Sequence, residues 1–123
     1  MKIKILVAED DPMTLNLLKF RLQKEGYEVL TASDGKQAQR FLQDEIPNLV
    51  LSDIMMPHLN GLELTSYIRN DLKLSVPLIL LSVAGQEEMV IKSFELGADD
   101  FIAKPFNPNE LVIRIKRILQ KNN

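Results

Sequence analysis

Five short apolar runs alternate with five segments of helical spacing, and this alternation constrains the fold more than any other feature of the chain. The runs cover residues 3–8, 27–31, 49–52, 78–82 and 101–103. The third and fourth are continuously apolar, as strands buried on both faces are. The second alternates and suits a sheet edge. The helical segments carry their own end signals. The first opens at Asp11-Pro12, with proline at a position that tolerates it, and stops at Gly26. The second follows Asp34 and presents Ala38, Phe41 and Leu42 on one face. The third follows Asn60-Gly61 and carries Leu62, Thr65 and Ile68. The fourth spans 87–96 and ends at Gly97. The fifth opens at Asn107-Pro108, with Glu110 placed for a capping box and a stripe of Leu111, Ile115, Ile118 and Leu119. Strand and helix alternating five times predicts an α/β fold, a parallel sheet with helices on both faces.

The 123 residues fit one domain, taken as 1–123, long enough to bury a core without disulfides or a structural metal. No cysteine is present, so thiolate chemistry is excluded. A net charge of −2 supplies no basic excess for nucleic acid. No apolar stretch approaches the ~20 residues of a membrane span, and the first eight residues run directly into three acids rather than a cleavage site. A cytoplasmic protein with no membrane or direct nucleic-acid partner is expected.

Open α/β sheets carry their sites at the carboxyl ends of strands, where strand order reverses. The first run ends in Glu9-Asp10-Asp11, the third in Ser52-Asp53, the fourth in Ser82, and the fifth in Ala103-Lys104-Pro105. Parallel neighbours would bring these groups to one rim. Three carboxylates, Glu9, Asp10 and Asp53, then repel one another by a few kcal/mol at intermediate dielectric. A bound cation relieves that, and oxygen donors without His or Cys favour a hard ion such as Mg²⁺. Lys104 and the Ser82 hydroxyl can hold phosphoryl oxygens, and a carboxylate is a competent nucleophile toward phosphorus. The residue types suit phosphoryl transfer to Asp53.

The segments Ile5-Leu6-Val7-Ala8-Glu9-Asp10-Asp11, Ser52-Asp53-Ile54-Met55-Met56-Pro57, Asn60-Gly61, and the stretch from Gly97 through Lys104-Pro105-Phe106 resemble response-regulator receiver domains, over essentially the whole chain. The resemblance implies a doubly wound, five-stranded parallel sheet of order 2-1-3-4-5, flavodoxin-like, in three α/β/α layers. It implies that Asp53 is the phosphoacceptor. Asp10, Glu9, Asp53 and the Met55 backbone carbonyl would ligate Mg²⁺. Ser82 and Lys104 would contact the phosphoryl group. Ser82 and Phe101 would form the switch, and the Lys104-Pro105 bond would be cis. A sensor histidine kinase or phosphotransfer protein would be the donor, and an output domain or effector protein the recipient of the signal. The last helix is similar to that of receivers from winged-helix transcription regulators, which dimerise through the helix 4–strand 5–helix 5 face. The matching charges are Asp100 with Arg114 and Glu95 with Lys116. Val90 stands where a basic residue is usual, so a weak homodimer strengthened by phosphorylation is expected.

Each residue also has a plainer explanation. Asp11 caps a helix. A lone lysine such as Lys104 is usually solvated, and Phe101 suits a core. His58 is expected to be exposed and without a catalytic role. Among other classes, a haloacid-dehalogenase-type phosphatase needs a second Asp two residues after the nucleophile, where Met55 stands. A flavodoxin-like binding module needs a phosphate loop after the first strand, where this chain has acids. A receiver used only for docking would not need the full set of Glu9, Asp10, Asp53, Ser82 and Lys104.

Overall fold

The computed structural model describes residues 2–121; Met1, Asn122 and Asn123 of the expected domain lie outside the described residues. The elements run β1 (Lys4–Ala8), α1 (Pro12–Lys24), β2 (Glu28–Ala32), α2 (Gly35–Asp44), β3 (Leu49–Asp53), α3 (Gly61–Ser66), a π-helical turn (Tyr67–Asp71), β4 (Leu78–Ser82), α4 (Glu87–Leu96), β5 (Asp100–Ala103) and α5 (Pro108–Lys121). The strands form one parallel sheet in the order β2-β1-β3-β4-β5. The doubly wound fold of the sequence reading is the one observed, with β2 at an edge.

Alternation along each strand builds two cores. Ile5, Val7, Leu49, Leu51, Ile79 and Leu81 pack on one face with Leu18 and Leu22 of α1 and Leu111, Ile115 and Leu119 of α5. Leu6, Ala8, Val50, Leu78 and Leu80 pack on the other with Ala38 and Leu42 of α2, Leu64 of α3 and Val90 of α4. Period-two side chains on a fully covered sheet require apolar residues at every position, which is why β3 and β4 read as unbroken apolar runs.

The helix ends follow the sequence signals. The Asp11 carboxylate accepts from the Thr14 backbone N–H at 3.1 Å, and the Asp34 carboxylate from the Gln37 N–H at 2.8 Å. Asn60 and Glu63 form a reciprocal capping box. At α5 the Asn107 side chain caps Asn109 and Glu110, but the Glu110 carboxylate pairs with Arg114 Nη2 at 3.1 Å, so the expected second half of the box is replaced by an ion pair. The α3 face also differs from expectation. Gly61, Leu64, Thr65 and Ile68 are buried there, at the i, i+3, i+4, i+7 spacing of one helix face, while Leu62 falls beside that stripe and is half-buried.

Two glycines set how closely helices approach the loop that follows β3. A Cβ on Gly35 would lie 2.0 Å from the Leu59 carbonyl oxygen, and one on Gly61 would lie 2.8 Å from the Ile54 Cα. Gly35→Ala is expected to destabilise the fold by about 1–3 kcal/mol despite the better helix propensity of alanine, because backbone must move. Urea denaturation measures the loss. Unchanged stability would mean that the contact relaxes freely.

Candidate functional site

The register places the strand-end residues side by side. Ala8 of β1 pairs with Ser52 of β3, Asp53 pairs with Leu81 of β4, and Ser82 pairs with Ala103 of β5. Each strand's next residue therefore emerges on the same rim: Glu9 and Asp10 after β1, Asp53 at the end of β3, Ser82 at the end of β4, Lys104 after β5. This rim lies at the β1/β3 boundary where strand order reverses.

Lys104 joins the set. Its ammonium donates to Glu9 Oε1 at 2.6 Å and to Asp53 Oδ2 at 2.9 Å. Glu9 is fully buried, Asp53 and Ser82 are nearly so, and Asp10 is exposed. One carboxylate oxygen from each of Glu9, Asp10 and Asp53 lies within 4.8 Å of the others. The second oxygen of Glu9 accepts from the Asp11 backbone N–H at 3.0 Å. From sequence, Lys104 is the one positive charge beside the three acids and a contact for the phosphoryl group; the structure adds direct bonds to buried Glu9 and to Asp53.

Electrostatics follow from burial. Desolvation pushes the Glu9 carboxyl above its ordinary value, against the Lys104 and Asp11 hydrogen bonds that favour its charged form, and the Asp53 charge pushes it further up. Burial alone would pull the Lys104 ammonium down. The hydrogen bonds to Glu9 and Asp53 and the attraction of both carboxylates outweigh it and hold Lys104 above its usual range. One lysine thus faces more negative charge than it can neutralise. Glu9, Asp10 and Asp53 could hold a metal ion, and an all-oxygen donor set with an exposed member fits a hard divalent cation.

The other expected residues fall as follows. Met55 is exposed beside Asp53, and its backbone N–H lies 3.5 Å from Asp53 Oδ1. The Lys104-Pro105 bond is cis, and His58 is exposed in the loop with φ of 70°. Phe101 is 37% exposed and meets Phe94 of α4 edge-on, with centroids 6.0 Å apart. A groove of about 440 Å³ runs between α4 and β5 from Ser82 to Phe101, lined by Val83, Ala84, Ile91 and Phe94.

The charges expected on the helix 4–strand 5–helix 5 face have partners within the chain. Arg114 pairs with Asp100 at 3.3 Å and donates to the Phe101 carbonyl at 3.1 Å. Lys116 pairs at 2.8 Å with Glu25, the residue that caps the carboxyl end of α1, which draws it toward the α1 side of α5. Val90 is buried against the sheet rather than displayed on that face, because its spacing from Ser93 puts it on the inner stripe of α4. Sequence reasoning missed the contacts between α1 and α5, Lys116 with Glu25 and Arg21 Nη2 donating to Asn109 Oδ1 at 2.8 Å, since neither Glu25 nor Arg21 lies near a motif. Among the described residues, no helix is long and apolar enough to cross a membrane.

Comparison with known proteins agrees with this geometry. The family model of the response regulator receiver domain matches residues 5–116. The chain is 39% identical over 122 residues to the alkaline phosphatase synthesis transcriptional regulatory protein PhoP of Bacillus subtilis, covering 99% of this chain and 50% of that protein. It is 38% identical over 118 residues to the phosphate regulon transcriptional regulatory protein PhoB of Pseudomonas aeruginosa, covering 95% and 52%. The chain spans about half the length of these curated relatives. Among solved structures, a CheY-like response regulator receiver domain from Methanospirillum hungatei matches with a TM-score of 0.93 at 32% identity, covering 98% of this chain and 96% of that one. The receiver domain of the Francisella response regulator 1452 matches with a TM-score of 0.91 at 30% identity, covering 99% and 100%.

Proposed function

This chain belongs to the response regulator receiver domain family, and from that premise we propose that Asp53 accepts a phosphoryl group in a Mg²⁺-dependent reaction within a two-component relay. The observation that carries the proposal is the Lys104 ammonium bridging Glu9 and Asp53, with Asp10 beside them, on one rim of the sheet. The donor is a sensor histidine kinase or a phosphotransfer protein, and a small acyl phosphate can replace it. Exposed Met13, Leu17 and Phe20 form a stripe on α1, and a shallow pocket lined by Leu17, Pro105 and Phe106 reaches Lys104, so an apolar protein surface can seat beside the site.

Each residue has a distinct task. A carboxylate oxygen of Asp53 forms the new bond to phosphorus as the bond to the donor's leaving group breaks, and the leaving group keeps that electron pair. Lys104 leaves Asp53 free to react by turning its charge toward the phosphoryl oxygens while keeping its bond to Glu9. The Ser82 hydroxyl donates to another phosphoryl oxygen. Glu9, Asp10, Asp53 and the Met55 carbonyl would hold Mg²⁺, which when bound neutralises charge on the transferring group. Turning Ser82 inward opens the groove beside Phe101, and rotation of that ring changes the α4–β5–α5 surface presented to an output domain or effector.

Incubation with radiolabelled acetyl phosphate tests the proposal. Label is expected with Mg²⁺ and lost with a chelator; equal labelling in both would remove the metal from the reaction.

The same surface supports a weak homodimer strengthened by phosphorylation. Ile91, Phe94 and Ile113 are exposed there, beside Glu95, Asp100, Arg114 and Lys116. Arg114 and Lys116 must give up partners within the chain to pair across a dimer, and exposed pairs contribute only ~0–1 kcal/mol. Apolar contact therefore carries most of the association. Sedimentation equilibrium is expected to show monomers that shift toward dimers when beryllium trifluoride and Mg²⁺ are added. Monomers at all concentrations in both conditions would remove the dimer.

A further inference from the structure

The two ends of α4 are held differently. Its amino end lies next to the site: Gln86 precedes the helix and makes no side-chain cap bond to it, and Gly85 stands at φ 95° just before. Its carboxyl end is tied down by Arg69, which the π-helical turn presents to it. Arg69 Nε donates to the Gly97 carbonyl at 2.9 Å, and Nη1 donates to the Leu74 carbonyl at 2.9 Å. Its Nη2 pairs with Asp99 Oδ2 at 3.0 Å, and that same oxygen accepts from the Leu78 N–H at 2.8 Å. The Asp99 N–H returns to the Leu78 carbonyl at 2.9 Å.

One guanidinium therefore joins the end of α4, the entry to β5 and the entry to β4. The planar fork supplies donors in fixed directions, so a lysine cannot reproduce the three bonds. The side chain is 17% exposed, and a carboxyl-end carbonyl of a helix is a favourable partner for a cation. Gly97 serves the same junction twice. Its φ of 112° suits glycine, and a Cβ there would lie 3.0 Å from the Arg69 stem.

We propose that Arg69 is a positioning residue that anchors the carboxyl end of α4, so that α4 responds to phosphorylation by moving its amino end about a fixed pivot at Gly97. This rests on the reading that Asp53 takes a phosphoryl group and that α4 responds. The anchor sits at the opposite end of β4 from Ser82, so it does not touch the phosphoryl chemistry. It directs where the structural change goes, keeping β4 and β5 in register while the groove beside Ser82 and Phe101 opens or closes.

Amide hydrogen exchange, read by NMR with and without beryllium trifluoride and Mg²⁺, tests the pivot. In wild-type protein the mimic is expected to change exchange at Val90 and Ile91 and leave Leu78, Ala98 and Asp99 unchanged. In Arg69→Met, exchange at Ala98 and Asp99 is expected to rise by on the order of tenfold without the mimic, and the mimic-induced change is expected to spread to them. Uptake of label from acetyl phosphate is expected to stay near wild type. Should Arg69→Met not fold, Asp99→Asn removes only the ion pair and is expected to produce the same spread to a smaller degree.

A mimic-induced change at Ala98 and Asp99 in wild type, or a variant indistinguishable from wild type, overturns the pivot. So does a bound mimic that leaves α4 unchanged. Failure of the mimic to bind at all, seen as no shift at Asp53, counts against the phosphoacceptor reading instead. The exchange of Ala98 and Asp99 in the unliganded variant then still decides whether Arg69 anchors α4.

Discussion

Asp53→Asn is expected to reduce phosphoryl incorporation from acetyl phosphate and Mg²⁺ to background, a loss of at least ~10³-fold, the scale for removing a reacting nucleophile. The amide keeps an oxygen that can accept from Lys104, now 2.9 Å from Asp53, so the fold and the Lys104 bond to Glu9 should persist. What disappears is the anionic oxygen that forms the bond to phosphorus. Glu9 cannot substitute for it, because it is fully buried with both oxygens engaged, by Lys104 and by the Asp11 N–H. Filter-bound label over time, with circular dichroism to confirm the fold, measures the effect. Incorporation within a few-fold of wild type would place the acceptor elsewhere.

Lys104→Met is expected to destabilise the protein strongly, and in a pH-dependent way. Removing the cation leaves Glu9 buried and uncompensated. The cheapest response is to protonate it, which for a carboxyl of ordinary value 4.5 costs about 3 kcal/mol at pH 7, at about 1.4 kcal/mol per unit. The sign is fixed by linkage. A carboxyl whose folded value lies above its unfolded value binds protons more readily in the folded state, so stability falls as pH rises through the interval between them. Losing Lys104 widens that interval, because the ammonium's hydrogen bond was pulling Glu9 down. The variant should therefore approach wild-type stability near pH 4.5 and fall furthest behind above neutrality. Lys104 contributes in the complementary range: its folded value is raised, so its stabilisation is present below 10.5 and lost as pH rises past the folded value. Chemical denaturation in chelator at several pH values checks this, and Glu9→Gln in the same background should restore most of the loss. A pH-independent deficit would mean that packing of the lysine stem, not its charge, accounts for the change.

Much of this was legible in the chain because burial on both sheet faces forces continuous apolar runs, and the polar residue ending each run marks where the strand leaves the core. Asp53 after Leu49-Val50-Leu51-Ser52 is the clearest case. Caps at Asp11, Asp34 and Asn60 were equally readable, since side-chain capping is a local interaction within three residues. What escaped depends on contacts between distant segments or on helix register. The inward placement of Leu64 rather than Leu62 depends on which face of α3 meets the sheet, and a six-residue helix is too short for its own pattern to fix that. The pairing of Lys116 with Glu25 joins α5 to α1, and the Arg69 fork joins three segments between 69 and 99. Gly35 looked like an ordinary helix start, and only the approach of Leu59 explains why it carries no side chain. The site residues were visible as types; that Lys104 spans two carboxylates, one of them fully buried, needed coordinates.

Borohydride reduction after incubation with acetyl phosphate tests the central claim most directly, because it converts an aspartyl phosphate into homoserine at the residue that carried it. Tandem mass spectrometry is predicted to find homoserine at position 53 in protein treated with Mg²⁺ and donor, and aspartate there when chelator is present. Homoserine at another aspartate, the one-carbon-longer alcohol at a glutamate, or neither despite incorporated label, would contradict the account.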